Sequence, residues 1–234
     1  MCDARDYVVR LRPRPRRLLT FLLCSMGHRA SRDAISDAFW PGESSMGHGL
    51  HVLVHELRAA LGDSGYVLFE SPDYWLNGVD VDLDRFEAQI ERAERACSGD
   101  IEDACGAYAE ALNLYHGEFL PSDYEDWVVR RRAETQNLYI HAAVSLAELY
   151  LQDSAAARAL QLAARAGGLD EAREDAARCE MRALSALGRR GEALRRYERL
   201  RRYLHREYRC DPDPATERLR AELLSPDPAT IPRR

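Results

Sequence analysis

The chain has 234 residues, 46% of them hydrophobic and 31% charged, with a formal net charge of −6. That length suits one large domain or two ordinary ones, and the composition builds a packed core rather than a disordered chain. No run approaches the roughly 18 apolar residues of a membrane span, and residues 1–6 (MCDARD) lack the apolar stretch of a secretory signal. The expectation is a cytoplasmic protein with no membrane partner.

There is no lysine: all 33 basic residues are arginine. That removes the lysines of phosphate loops, Schiff-base enzymes and kinases together. Neither a G-x-S-x-G elbow nor an H-E-x-x-H helix is present. The cysteines Cys2, Cys24, Cys97, Cys105, Cys179 and Cys210 form no C-x-x-C and no zinc-ligand spacing with histidine. They read as unpaired thiols, several of them small apolar core residues. No catalytic constellation, cofactor motif or metal site emerges, so the chain is not expected to be an enzyme.

In chain order, residues 7–11 (YVVRL) read as a short strand. Pro13 and Pro15 then hand over to the apolar run 18–23, a first helix ended by Gly27. Ser31 is a good N-cap for a second helix over 32–39, closed by Trp40-Pro41. A third helix is expected over 45–61, stopping at Gly62. Residues 66–70 and 74–76, around the turn Ser71-Pro72-Asp73, read as a β-hairpin. Three helices and a hairpin in roughly 60 residues is the order of a winged helix-turn-helix.

From Val81 no strand signal survives. Helices are expected over 83–96, 102–115, 123–151, 155–166, 171–187, 190–208 and near 214–224, with short loops and alanine and leucine at helical spacing. Antiparallel helix pairs of this kind stack as a repeat. The fold class is therefore mainly α: a winged helix-turn-helix domain over 1–80, a TPR-like all-helical repeat domain over 81–225, and a flexible tail over 226–234.

At 100° per residue, Met46, Leu50, Leu53, Val54, Leu57 and Leu61 fall on one stripe of the third helix, within roughly 120°. The opposite face carries Ser45, His48, His51, Val52, His55 and Ala59. These side chains could enter a major groove, could be plain solvated surface or a partner's footprint, or could chelate a metal through His51 and His55 at i, i+4. The candidate DNA-binding set is Ser31, Arg32, Ser45, His48, His51, Val52, His55, Arg58 and Tyr74. Ser31 and Arg32 enter it because backbone N–H groups point outward at a helix N-terminus. The five arginines between Arg10 and Arg17 are either an arm along phosphates or a solvated linker into the first helix. Those of residues 189–202 alternate with leucine and tyrosine and read as a solvated face.

Residues 16–23 (RRLLTFLL), 30–35 (ASRDAI) with 39–41 (FWP), 57–62 (LRAALG) and 81–87 (VDLDRFE) carry a resemblance, as do 111–115 (ALNLY) with 117–121 (GEFLP), and 124–127 (YEDW). It extends through 181–184 (MRAL), 188–197 (GRRGEALRRY) and 211–216 (DPDPAT). In that order and spacing they resemble the Streptomyces antibiotic regulatory protein (SARP) type of transcription regulator, which couples a winged helix to a bacterial transcriptional activator domain. The resemblance implies binding to double-stranded promoter DNA, often as a homodimer, and contact with RNA polymerase. Charge makes a rival reading available. Residues 1–80 hold 9 arginines against 10 acids, and residues 81–234 hold 24 against 29. A DNA reader usually shows a basic face, so a protein-interaction or adaptor module with a degenerate winged helix stands as the alternative.

Overall fold

The computed structural model describes residues 10–42 and 47–225, with the side chains of 47 and 48 left aside. The expected strand over 7–11 lies largely outside the described residues, and Ser45, the side chain of His48 and the tail over 226–234 lie wholly outside them. The chain forms two compact units, Met1–Val81 with Glu118–Ala133, and Asp82–Gly117 with Glu134–Arg234.

The first unit is a winged helix. Helix α1 (Pro13–Cys24) starts on its prolines, which lack an N–H exactly where the first helical turn has no acceptor for one. It stops at Ser25, and Gly27 takes the left-handed φ of +60° in the turn that follows. Strand β1 (Arg29–Ser31) leads into α2 (Arg32–Phe39), then α3 (Gly47–Leu61), β2 (Val67–Glu70) and β3 (Asp73–Leu76). The sheet order is β1-β3-β2, antiparallel throughout, with Ala30 opposite Tyr74 and Phe69 opposite Tyr74 on the other side.

The sequence pattern gives no sign of β1. Three residues, arginine first, carry no strand propensity of their own; the ladder with β3 makes them a strand. The core gathers Leu18 and Leu22 of α1, Ile35 of α2, Leu50, Leu53, Val54 and Leu57 of α3, and Val67, Tyr74 and Leu76 of the hairpin. Gly49 has its own reason: a Cβ there would stand 3.0 Å from the Trp40 ring, so the glycine lets α3 lie against the end of α2.

Residues 118–133 complete this unit. The Arg17 guanidinium lies over the rings of Phe39, at 4.5 Å, and Trp127, at 5.1 Å. Its Nε donates to Glu125 at 2.5 Å, and Nη2 to the Ala38 carbonyl at 3.1 Å. Phe21 packs edge-on to Trp127 with centroids 5.0 Å apart. Arg132 ties the segment to itself by donating to the carbonyls of Phe119, Leu120 and Asp123.

The second unit is all-helical. It holds α4 (Asp82–Ala96), α5 (Ile101–Leu114), α7 (Ala156–Leu169), α8 (Glu174–Ala186), α9 (Arg190–Glu207) and α10 (Pro214–Leu224), together with the larger part of α6 (Asp126–Gln152). Helices pack in sequence order, α4 on α5, α7 on α8, α8 on α9, and α10 on both α8 and α9. Fully buried Ala159, Ala163, Ala166, Ala176, Ala177, Ala183 and Ala193 let the axes approach closely. Gly188, at φ +74°, turns α8 into α9 within a few residues. Among the described residues no strand follows Leu76, so the architecture is the expected winged helix plus TPR-like helical repeat.

Candidate nucleic-acid interface

Helix α3 has two faces of opposite character. Leu50, Leu53, Val54 and Leu57 are all at most 4% exposed. Each removes an apolar side chain from water, and together they fix the helix on the rest of the core at roughly 1.5–3 kcal/mol apiece. The other face presents His51, Val52, His55 and Ala59 to solvent, with Val52 at 58% exposure. His51 and His55 are one turn apart, and Val52 lies between them.

The remaining candidates are held differently. Ser31 caps α2: its Oγ accepts from the Ala34 N–H at 3.1 Å. The Arg32 N–H donates to the Pro72 carbonyl at 2.8 Å, so the first turn of α2 spends donors on its own cap and on the hairpin tip. What Arg32 offers outward is a half-exposed side chain. Arg58 directs its guanidinium back into the fold. Nε and Nη2 both donate to the Val67 carbonyl, at 2.9 and 2.6 Å, and clamp the end of α3 to the start of β2. Tyr74 is 3% exposed and packs at a tilt on Phe69 with ring centroids 4.5 Å apart, a core residue rather than a surface contact. The Tyr74 ring is buried and the half-buried Arg58 guanidinium is engaged by a strand carbonyl; both sit at positions where the sequence shows residue type but not direction.

The arginine-rich segment also divides. Arg17 is committed to Glu125, Phe39 and Trp127, while Arg10, Arg12, Arg14 and Arg16 are exposed. Residues 13–17 form the opening of α1 itself. At the hairpin tip, Asp73 is neutralised by Arg29, whose Nε lies 2.6 Å from its carboxylate and whose guanidinium covers Trp75 at 5.3 Å. Glu70 is exposed beside it. The pairing across β1 and β3 that supplies Arg29 was not visible without the strand.

Among the described residues, no group of three or more His, Cys, Asp or Glu could hold a metal ion. No helix among them is long and apolar enough to cross a membrane.

The bacterial transcriptional activator domain matches residues 81–224, well over half of the chain. The protein belongs to that family. It is a SARP-type transcription regulator, with the two-part build that its sequence resembles. Among solved structures it is similar to Mycobacterium tuberculosis EmbR, determined in complex with a low-affinity phosphopeptide. The two are 24% identical with a TM-score of 0.77, over 91% of this chain and 59% of that one. The likeness is one of fold, and the chain spans about three-fifths of its neighbour's length. No curated protein matches the chain.

Proposed function

We propose that the protein is a cytosolic DNA-binding regulator whose α3 enters the major groove of promoter DNA. In this reading residues 1–80 form the DNA-binding part. Residues 81–225 serve self-association or contact with RNA polymerase, and the tail over 226–234 is flexible. One observation carries it: α3 is anchored by four buried residues while His51, Val52 and His55 stand clear of the fold. A helix so held can be inserted into a groove without disturbing the core.

His51 and His55 are placed to donate to base edges or phosphates, and Val52 to meet a thymine methyl. The Arg32 side chain and the exposed Arg10, Arg12, Arg14 and Arg16 supply the phosphate contacts. Ser45 and His48 are added to this proposed set from the sequence spacing alone. Ser31 positions α2. Arg58 and Tyr74 contribute by holding α3 and the hairpin in place.

The test is binding to a labelled fragment from the protein's own gene neighbourhood at about 50 and 200 mM salt. A DNA reader loses more than about tenfold in affinity across that range, because each neutralised phosphate releases counterions. The absence of any complex at the lower salt overturns the proposal.

A second reading is favoured by a specific feature. Three basic groups of the first unit are engaged within it, Arg58 on Val67, Arg17 on Glu125 and Arg29 on Asp73. A face of two imidazoles and a valine also suits a protein partner. Binding that is indifferent to salt points to that module instead.

A further inference from the structure

Helices α7, α8 and α9 border a half-open cavity of about 230 Å³, lined by Gly167 and Gly168 of α7, Glu171, Glu180 of α8, and Arg196, Arg199, Leu200 and Tyr203 of α9. Positions 196, 199, 200 and 203 form one stripe of α9, so the lining is a continuous helix face rather than a chance gap. Its floor is Arg196, 6% exposed, whose Nε donates to Glu180 Oε2 at 2.5 Å.

Among the described residues Glu180 is the guanidinium's sole hydrogen-bond partner, through Nε, and Arg196 lines the cavity with its Nη groups left for a ligand. Gly167 leaves the room they need, because a Cβ there would stand 3.0 Å from Nη2. A glycine inside a helix costs about 0.5–1 kcal/mol relative to alanine, and the arginine accounts for it.

We infer that this cavity is a binding site for a small organic monocarboxylate. The carboxylate meets the two Nη groups of Arg196 side by side, the paired geometry that a guanidinium offers best. Arg199, exposed at the rim, adds a second positive charge. Leu200 and Tyr203 supply an apolar wall for the ligand's body. Glu180 is already compensated by Arg196, whereas exposed Glu171 at the mouth repels a second negative charge and so disfavours phosphate and dicarboxylates. The volume lies below the roughly 300–1,000 Å³ of sites for drug-sized ligands, which limits the occupant to something near one ring and one charged group.

Calorimetric titration of the full chain with sodium benzoate, at constant ionic strength, tests this. Benzoate is expected to bind with a Kd of about 1 mM or tighter. Benzyl alcohol, with the same ring and no charge, should bind at least about tenfold more weakly, and inorganic phosphate no better than the alcohol. Gly168→Leu separates binding from folding. A Cβ at Gly168 meets no atom within 4 Å, so the larger side chain fills the mouth of the cavity while the thermal midpoint holds or rises. It should abolish the benzoate signal. Arg199→Ala, at an exposed position, should weaken it by about threefold to tenfold. Absence of benzoate binding up to about 10 mM, equal binding of the alcohol, tighter binding of phosphate, or survival of the signal in a folded Gly168→Leu variant each overturns the assignment.

Discussion

Helices α3 and α9 look, by composition, as though their roles had been exchanged. In α9, arginine dominates: residues 190, 195, 196, 199, 201, 202 and 206. In α3 a single arginine stands among histidines and apolar residues. A count of positive charge would make α9 the candidate for DNA. Contacts within the chain engage five of its seven arginines. Arg190 donates to the carbonyls of Leu223 and Ser225, Arg196 is buried against Glu180, and Arg206 pairs with Glu207. Arg201 lies within reach of Glu198, and Arg202 donates to the carbonyl of the same residue. A charge already partnered by its own chain has little left for a phosphate. The outer face of α3 carries fewer polar groups, but they are unburied and sit on a helix whose inner face is locked.

The sharpest break in this contrast is made from the inside of α3. Leu57 is fully buried at its centre. Leu57→Ala removes its packing and leaves a cavity, at a cost of about 3–4 kcal/mol. Urea unfolding should show that loss, with DNA affinity falling alongside it; a loss below about 1 kcal/mol would mean that the helix is not anchored as described. The corresponding change in the second unit is Glu180→Ala, which strands the Arg196 charge with side-chain exposure of only 7%. About 3 kcal/mol is expected, because an uncompensated buried charge costs more than the intact pair contributes. The two should differ in readout. Glu180→Ala lowers stability and leaves DNA affinity of the folded protein unchanged, whereas Leu57→Ala moves both.

How much of this was legible depends on whether a feature is set by spacing or by partners. The bounds of α2, the stop of α3 before Gly62 and the alternation of short loops and long helices after Val81 follow from periodicity and capping, which are local. The Ser31 cap is local in the same way. Strand β1 depends on β3, more than 40 residues away, and has no sequence signature of its own. The joining of residues 118–133 to the first unit rests on the Arg17–Glu125 pair, whose partners are 108 residues apart. Within the site, helical spacing correctly separated the buried and open faces of α3 but could not say where Arg58 and Tyr74 point. Both are amphipathic side chains whose direction is decided by packing: one turns back to a strand carbonyl, the other fills the core.

Moderate effects belong to the outer face of α3. His51→Ala with His55→Ala removes only exposed side chains, so the unfolding midpoint should be unchanged within experimental scatter. Promoter affinity should fall about tenfold, or about 1.4 kcal/mol. Promoter affinity that survives both replacements removes these histidines from the interface.

The smallest effect is the one that most directly sharpens the contrast between the helices. Arg201 and Arg202 are exposed on α9, and their contacts with Glu198 are intrahelical and screened by water. Such exposed pairs contribute about 0–1 kcal/mol. Arg201→Ala with Arg202→Ala should thus move stability by no more than about 0.5 kcal/mol and leave the slope of promoter affinity against salt unchanged, even though two positive charges are gone. If these arginines touch phosphates, the same substitution lowers that slope by nearly two, a change easily resolved. A shallower slope would place the second unit on the DNA as well. An unchanged one leaves α9 as a helix whose arginines serve its own fold and the cavity beneath it, and it leaves the sparse outer face of α3 as the surface proposed to read DNA.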